Sequence, residues 1–280
     1  MEGAEGRRAA RNPIRPAAPP ATMTKNRSAK RGAVGASARL LADQARAVQQ
    51  LEAALPEQDA VHDMRVATRR LRAALRVLRL GKLDRRVKAL QDALGAVRDL
   101  QLQIEWLRSR DAALYRSCRA RLRAAKQALQ RELRQWRSQT LPILLGAAAD
   151  GSAPPPRNLS KLMRKRLKRM QERLEQARIR PSPRSLHAAR ISVKQVRYLV
   201  EVARGSLPKK VTRLESDLKT LQASLGELHD VDTRIDLVKT RPALARDQKD
   251  MRKRLGKIAA AQLTRWHKQR LIDRASSALR

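Results

Sequence analysis

"VHDMRVATRRLRAAL", residues 61–75, carries two helical faces at once. An α-helix advances about 100° per residue. With His62 at zero, Arg65, Arg69, Arg72 and Arg76 all fall within about 80° of it, in one continuous stripe. Met64, Ala67, Leu71, Ala74, Leu75 and Leu78 fall on another side, centred about 150° from the middle of that stripe. That second side is the face a core helix buries. The stripe stacks like charges at i, i+3, i+4 and i+7, which costs a bare helix roughly a few tenths of a kcal/mol per pair. A bound polyanion, or carboxylates on neighbouring helices, would offset that cost. For a single stripe, a solvated face with local ion pairs is the plainer alternative.

The arrangement occurs twice. "LHAARISVKQVRYLV", residues 186–200, aligns with the first segment and repeats its histidine. His62 matches His187, Arg65 matches Arg190, Arg69 matches Lys194 and Arg72 matches Arg197. The core face of this copy is Ala189, Val193, Val196, Val200 and Ala203. Glu201 stands where Arg76 does, placed to anchor a neighbouring arginine. Farther on, "LQDALGAVRDL" (90–100) aligns with "LQASLGELHDV" (221–231) in the same order. Two ordered matches argue for a duplicated helical unit, and the recurrence weighs against a merely solvated stripe.

Composition points the same way. The 280 residues hold 64 Lys+Arg against 26 Asp+Glu, a formal charge of +38. Such an excess repels itself and calls for an anionic partner: nucleic acid, polyphosphate or an anionic membrane surface. Hydrophobic residues make up 42%, enough for a core, but aromatics only 2%. Leu, Ala, Arg, Gln and Lys favour helices, and no alternating strand pattern appears. The single cysteine, Cys118, rules out an intrachain disulfide and a cysteine-built zinc cluster. It fits a cytoplasmic location. No apolar run approaches the roughly 18 residues of a membrane span, and no signal-peptide core precedes Met23, an alternative start.

The expected organisation is a disordered basic tail over residues 1–36, a first helical half over 37–145, a linker over 146–157 and a second half over 158–280. Ser37 is a candidate N-cap for a helix burying Leu40, Leu41, Ala45, Val48 and Leu51, ended by Pro56. Gly81 is a candidate C-cap of the next helix, and Gly205 of its counterpart. After the linker, Leu162, Met163, Leu167, Met170 and Leu174 form an apolar side. Ser182 or Ser185 caps the helix after that, Pro208 opens another, and "RPAL" (241–244) marks a further break. The count is about eight helices, four on each side. In "KLMRKRLKRM", Lys161, Arg164 and Lys168, with Lys165 at the margin, form a third basic side, a candidate extension of the anion surface.

The two histidine segments resemble the signature helices of the CHAD family, the conserved histidine α-helical domains. "LGAVRDL" and "LGELHDV" are similar to that family's LG-x-x-x-D elements. The resemblance covers about residues 37–275. It implies an all-α fold of two four-helix bundles related by an internal pseudo-two-fold, with a basic surface or pore between them. It also implies non-catalytic binding of inorganic polyphosphate and association with polyphosphate granules in bacteria. The ligands it implies are His62, Arg65, Arg69, Arg72, His187, Arg190, Lys194 and Arg197; Arg76 joins them from the stripe. Tyr198 and Glu201 match the family's RY-x-x-E element and look structural. One departure is that His229 corresponds to Arg98, so a symmetric role for that histidine is not expected. No E-x-E-x-K motif of an attached triphosphate-tunnel domain occurs.

Nucleic-acid binding, to RNA or the duplex backbone, is the alternative. Against it stands the scarcity of aromatic platforms for bases, since Trp106, Trp136 and Trp266 sit in helical patterns suited to core or interfacial roles. Catalysis has less support: no P-loop, H-E-x-x-H or acidic metal cluster is present, and no cofactor or metal is expected. Asp63 and Asp99 read as caps or arginine partners. A histidine beside arginines has its charged form disfavoured, and a bound phosphate reverses that. Proton uptake on binding, and tighter binding at mildly acidic pH, are the expectations.

Overall fold

A computed structural model describes residues 21–55, 58–154, 156 and 158–279. Among the described residues the regular structure is entirely helical. The long helices are α1 (Ala21–Glu52), α2 (Gln58–Val77), α3 (Gly81–Leu107), α4 (Ala112–Gln135), α6 (Leu159–Ile179), α7 (Pro183–Val202), α9 (Leu214–Leu237) and α10 (Pro242–Lys268). Three short ones complete the set: α5 (Leu141–Ala149), α8 (Lys209–Thr212) and α11 (Leu271–Ser277). In the first half α2 packs on α1 and α3, and α3 on α4; in the second α7 packs on α6 and α9, and α9 on α10.

The helical periods place the core correctly. Met64, Leu71, Ala74, Leu75 and Leu78 of the α2 region are fully buried, with Ala67 beside them. Ala189, Val193, Val196 and Val200 of α7 are fully buried as well. On α6, Leu162, Met163, Leu167, Met170 and Leu174 are all inside. One apolar core gathers α1 to α5 and the other α6 to α11, with Val77 reaching from α2 into the second. Truncating a central residue such as Leu71 to Ala costs about 2–5 kcal/mol by the usual cavity penalty.

Several ends differ from expectation. Helix α1 begins at Ala21, so Ser37 lies inside it, buried, and caps nothing. Of the tail expected over 1–36, residues 1–20 lie outside the described residues, and so does Pro56. Gly81 opens α3 rather than closing α2. Arg79 instead takes the left-handed position, with φ 59°. Around it Leu80 N–H donates to Leu75 O at 2.8 Å, the six-to-one bond of a Schellman turn. A non-glycine residue there is strained by about 1 kcal/mol. Arg79→Gly should therefore stabilise the chain and raise Tm by about 2 °C in thermal unfolding.

Gly205 sits in a 3₁₀ turn, Arg204–Ser206. Ser182 and Ser185 turn out to act together: each side chain accepts from the other's backbone N–H, a reciprocal capping box at the start of α7. Helix α4 does not stop before the linker. A π turn, Trp136–Thr140, joins it to α5, with Leu141 N–H reaching Trp136 O. Pro142 follows at once and has no N–H to continue a regular ladder, which explains why the turn widens here. The helix runs to Ala149, overlapping the expected linker, and α6 restarts at Leu159, capped by Asn158.

Among the described residues the halves meet along one helix pair and at the hairpin tips. Helix α2 packs against α7. At the hairpin tips, Arg241 donates to Asp111 at 2.6 Å, and Arg234 lies 5.6 Å over the Trp106 ring. Asp111 also accepts Leu114 N–H as the N-cap of α4. That backbone donor first, and Arg241 second, hold its carboxyl below the usual range. Leu237 of α9 packs on the small cluster of Leu100, Leu107 and Cys118.

Candidate functional site

A cleft of about 540 Å³ opens along the α2–α7 seam. Arg65, Arg69, Arg72 and Arg76 line it from α2, and His187, Arg190 and Lys194 from α7. Helix α3 adds Lys88 and Asp99, α6 adds Arg166, and α9 adds His229. Eight cationic side chains and only two carboxylates, Asp92 and Asp99, face this space.

Seven of the cations fall into two groups, while Arg166 donates to Gln195. Some are already compensated. Arg72 and Arg76 share Asp84, at 2.7 and 3.1 Å. Arg65 meets Asp99 at 3.2 Å, and Lys88 pairs with Asp92. The others have no carboxylate within ion-pair distance among the described residues: Arg69, Arg190 and Lys194. Arg69 donates only to the Tyr198 hydroxyl, at 3.3 Å. The Nε of Arg190 is buried without an acceptor.

The electrostatic result is strain. Burial first, then Arg69 and Arg190, push the Lys194 ammonium down to about 6. Burial also lowers Arg190, and Arg65 and Arg69 add to it against the pull of Asp230. Arg65 is lowered by burial and by Arg69, with Asp99 opposing. The His187 and His229 rings lie 4.9 Å apart at 46°, and both are lowered chiefly by burial and then by Arg190. Arginine keeps its charge throughout. This fold holds cations together that would separate in water, and an anion between them removes the penalty.

The glutamine that recurs in the two aligned segments has the same kind of partner in each. Arg72 donates to Gln91 at 3.2 Å, and its counterpart Arg197 donates to Gln222 at 2.9 Å. Glu201 anchors two arginines, Arg197 at 2.6 Å and Arg70 at 3.1 Å, which ties α2 to α7. Tyr198 lies beneath Arg197 at 4.4 Å and Arg69 at 6.0 Å, and is 4% exposed.

With the site described, the sequence comparison is decisive: the CHAD domain family matches residues 39–239. The chain belongs to the CHAD domain family. The matched span contains α2, α3, α6, α7 and α9, every helix that lines the cleft. A crystal structure of the CHAD domain from the plant Ricinus communis is similar, with TM-score 0.59 and 24% identity. The likeness covers 88% of this chain and 91% of that one, and shows a shared fold. No curated protein matches the sequence.

Not every expected ligand of this CHAD domain lies in the cleft. His62, one turn before Arg65, is exposed and outside the lining. Arg197 is engaged by Glu201 and Gln222 and does not line it. Lys161, Arg164, Lys165 and Lys168 are exposed on α6, away from the cleft, and Arg164 donates to Leu279 O at 2.6 Å.

Among the charged lining groups, Arg166, Lys88 and Asp92 escaped the sequence argument, and His229, for which no symmetric role was expected, lines the cleft as well. Arg166 left a legible signal. Measured from Leu162, it falls at about 40°, inside the apolar arc that ends near Leu167. An arginine within a core-facing arc needs a polar reason to be there, and here it donates to Gln195 at 2.8 Å beside the cleft. Among the described residues no cluster of three or more His, Cys, Asp or Glu is placed to hold a metal, and no helix is long and apolar enough to cross a membrane.

Proposed function

We propose that this CHAD domain binds inorganic polyphosphate along the α2–α7 cleft, without catalysis or cofactor, and associates through it with cytoplasmic polyphosphate granules. The observation that carries the reading is the uncompensated trio Arg69, Arg190 and Lys194, flanked by Arg65. Phosphate oxygens suit guanidinium groups, which grip them in a bidentate way. Polyphosphate has no bases to be read, so charge and spacing suffice. The α2 stripe from Arg65 to Arg76 extends about 16 Å at 1.5 Å per residue. Successive phosphates along one chain gain from avidity.

The ligand set narrows from the sequence reading. Arg65, Arg69, Arg190 and Lys194 contact phosphate directly. Arg72, Arg76, Lys88 and Arg166 form the rim, and His187 and His229 flank one end. His62, Arg197, Lys161, Arg164, Lys165 and Lys168 serve only in long-range attraction. We read the chain as two related four-helix units, α1–α4 and α6, α7, α9, α10, with the basic space between them. Two observations support this: the paired Arg–Gln bonds and a separate core on each side of the linker.

Nucleic-acid binding draws on the same charge, but the one phenol ring in the cleft is covered: Tyr198 lies under two guanidinium groups, which leaves only the His187 and His229 imidazoles to meet a base. Competition at near-physiological salt tests the choice. Labelled polyphosphate should be displaced by unlabelled polyphosphate at far lower phosphate concentration than by RNA or duplex DNA. Equal displacement by all three would contradict the reading.

A further inference from the structure

A second basic cleft, of about 450 Å³, lies on the flank of the first half between α3 and the α4–π segment. Lys82, Arg85 and Arg86 line it, at i, i+3 and i+4 on the opening turns of α3. None of the three side chains has an ion-pair partner within reach among the described residues. The positive end of the α3 dipole adds to their field. Glu132 is the one carboxylate in the lining, so the balance stays positive.

The opposite wall is the π turn. Widening the helix at Trp136–Thr140 puts Gln135, Trp136, Gln139 and Thr140 on the cleft. Trp136 is 2% exposed, and its indole N–H has no acceptor. An indole nitrogen can only donate, and an unpaired buried donor is costly. Three cations without ion-pair partners, beside a lining tryptophan whose buried indole N–H has no acceptor, call for an acceptor-rich anion. π turns are frequent at functional sites.

We infer that the Lys82–Arg85–Arg86 cleft, closed by the Trp136 π turn, is a second binding site for a condensed phosphate. It shares the ligand class of the central cleft but not its residues. The cleft-facing side of α3 that carries Lys88 begins less than one turn beyond Arg85, so one long chain can continue from one site to the other.

The test titrates the full chain with sodium tripolyphosphate in a calorimeter, and follows the Trp136 indole N–H resonance by NMR. Lys82→Gln/Arg85→Gln/Arg86→Gln alters exposed positions only. It should lose one site and the Trp136 shift while keeping central binding. Arg69→Ala/Arg190→Ala should lose the central site and keep the Trp136 shift. Unchanged stoichiometry and an unchanged Trp136 shift in the triple variant would overturn the inference and leave the central cleft intact. Loss of all binding in the triple variant, with none lost in Arg69→Ala/Arg190→Ala, would support this site and overturn the central one.

Discussion

Arg69→Ala/Arg190→Ala should weaken polyphosphate binding by about a hundredfold or more while leaving the chain better folded. A hydrogen bond to a charged group contributes about 1.5–3 kcal/mol, and about 1.4 kcal/mol is tenfold in affinity. Both guanidinium groups lack a carboxylate partner, so little internal bonding is lost with them. Their removal relieves repulsion on Lys194, whose ammonium both depress after burial. Unfolding temperature should therefore hold or rise as affinity falls. Binding measured across salt should also lose steepness, because fewer counterions are exchanged. A parallel fall in affinity and in Tm would mean that the pair is structural.

Lys194 supplies the second large effect, which is a pH dependence. In the free chain its ammonium is held near 6, far below its ordinary value. Between about pH 6 and the ordinary lysine range near 10, the unfolded state binds more protons than the folded one. Stability of the unliganded chain should therefore rise with pH across that window. Lys194→Met should remove the slope and stabilise the chain at pH 7. A bound phosphate restores the charge, so binding above pH 6 takes up a proton. Affinity should then fall by as much as about tenfold per pH unit as pH rises above 6. His187 and His229, both lowered by burial and then by Arg190, add to the gain as pH falls. Calorimetry in buffers of different ionisation enthalpy counts the protons, and Lys194→Met should take up fewer at pH 7. An uptake unchanged by that substitution would assign the protons elsewhere.

Much of this was legible beforehand. Helical angles alone separated Leu71 and Leu75 from Arg69 and Arg72, and burial follows that division. The recurrence of the histidine segment set two basic stripes side by side as one expectation, and the helices that carry them, α2 and α7, pack together. What the sequence left hidden came from tertiary context. Helical angle places His62 and Arg197 on the stripe, but neither lines the cleft: His62 is exposed, and Glu201 and Gln222 hold Arg197. The basic run on α6 looked stronger than Arg166, yet Arg166 is the residue turned to the cleft. Helix ends were read from glycine and serine, whereas Arg79 took the left-handed turn and Ser37 lay within a longer helix. The depressed Lys194 had no sequence signal separate from its neighbours, because burial is its largest cause.

The most direct test is a structure of the full chain with bound polyphosphate. Phosphate oxygens should lie within hydrogen-bond distance of Arg69, Arg190 and Lys194, between α2 and α7. A chain that instead runs along Lys161, Lys165 and Lys168 on the outer face of α6, with the α2–α7 cleft unfilled, would contradict the account.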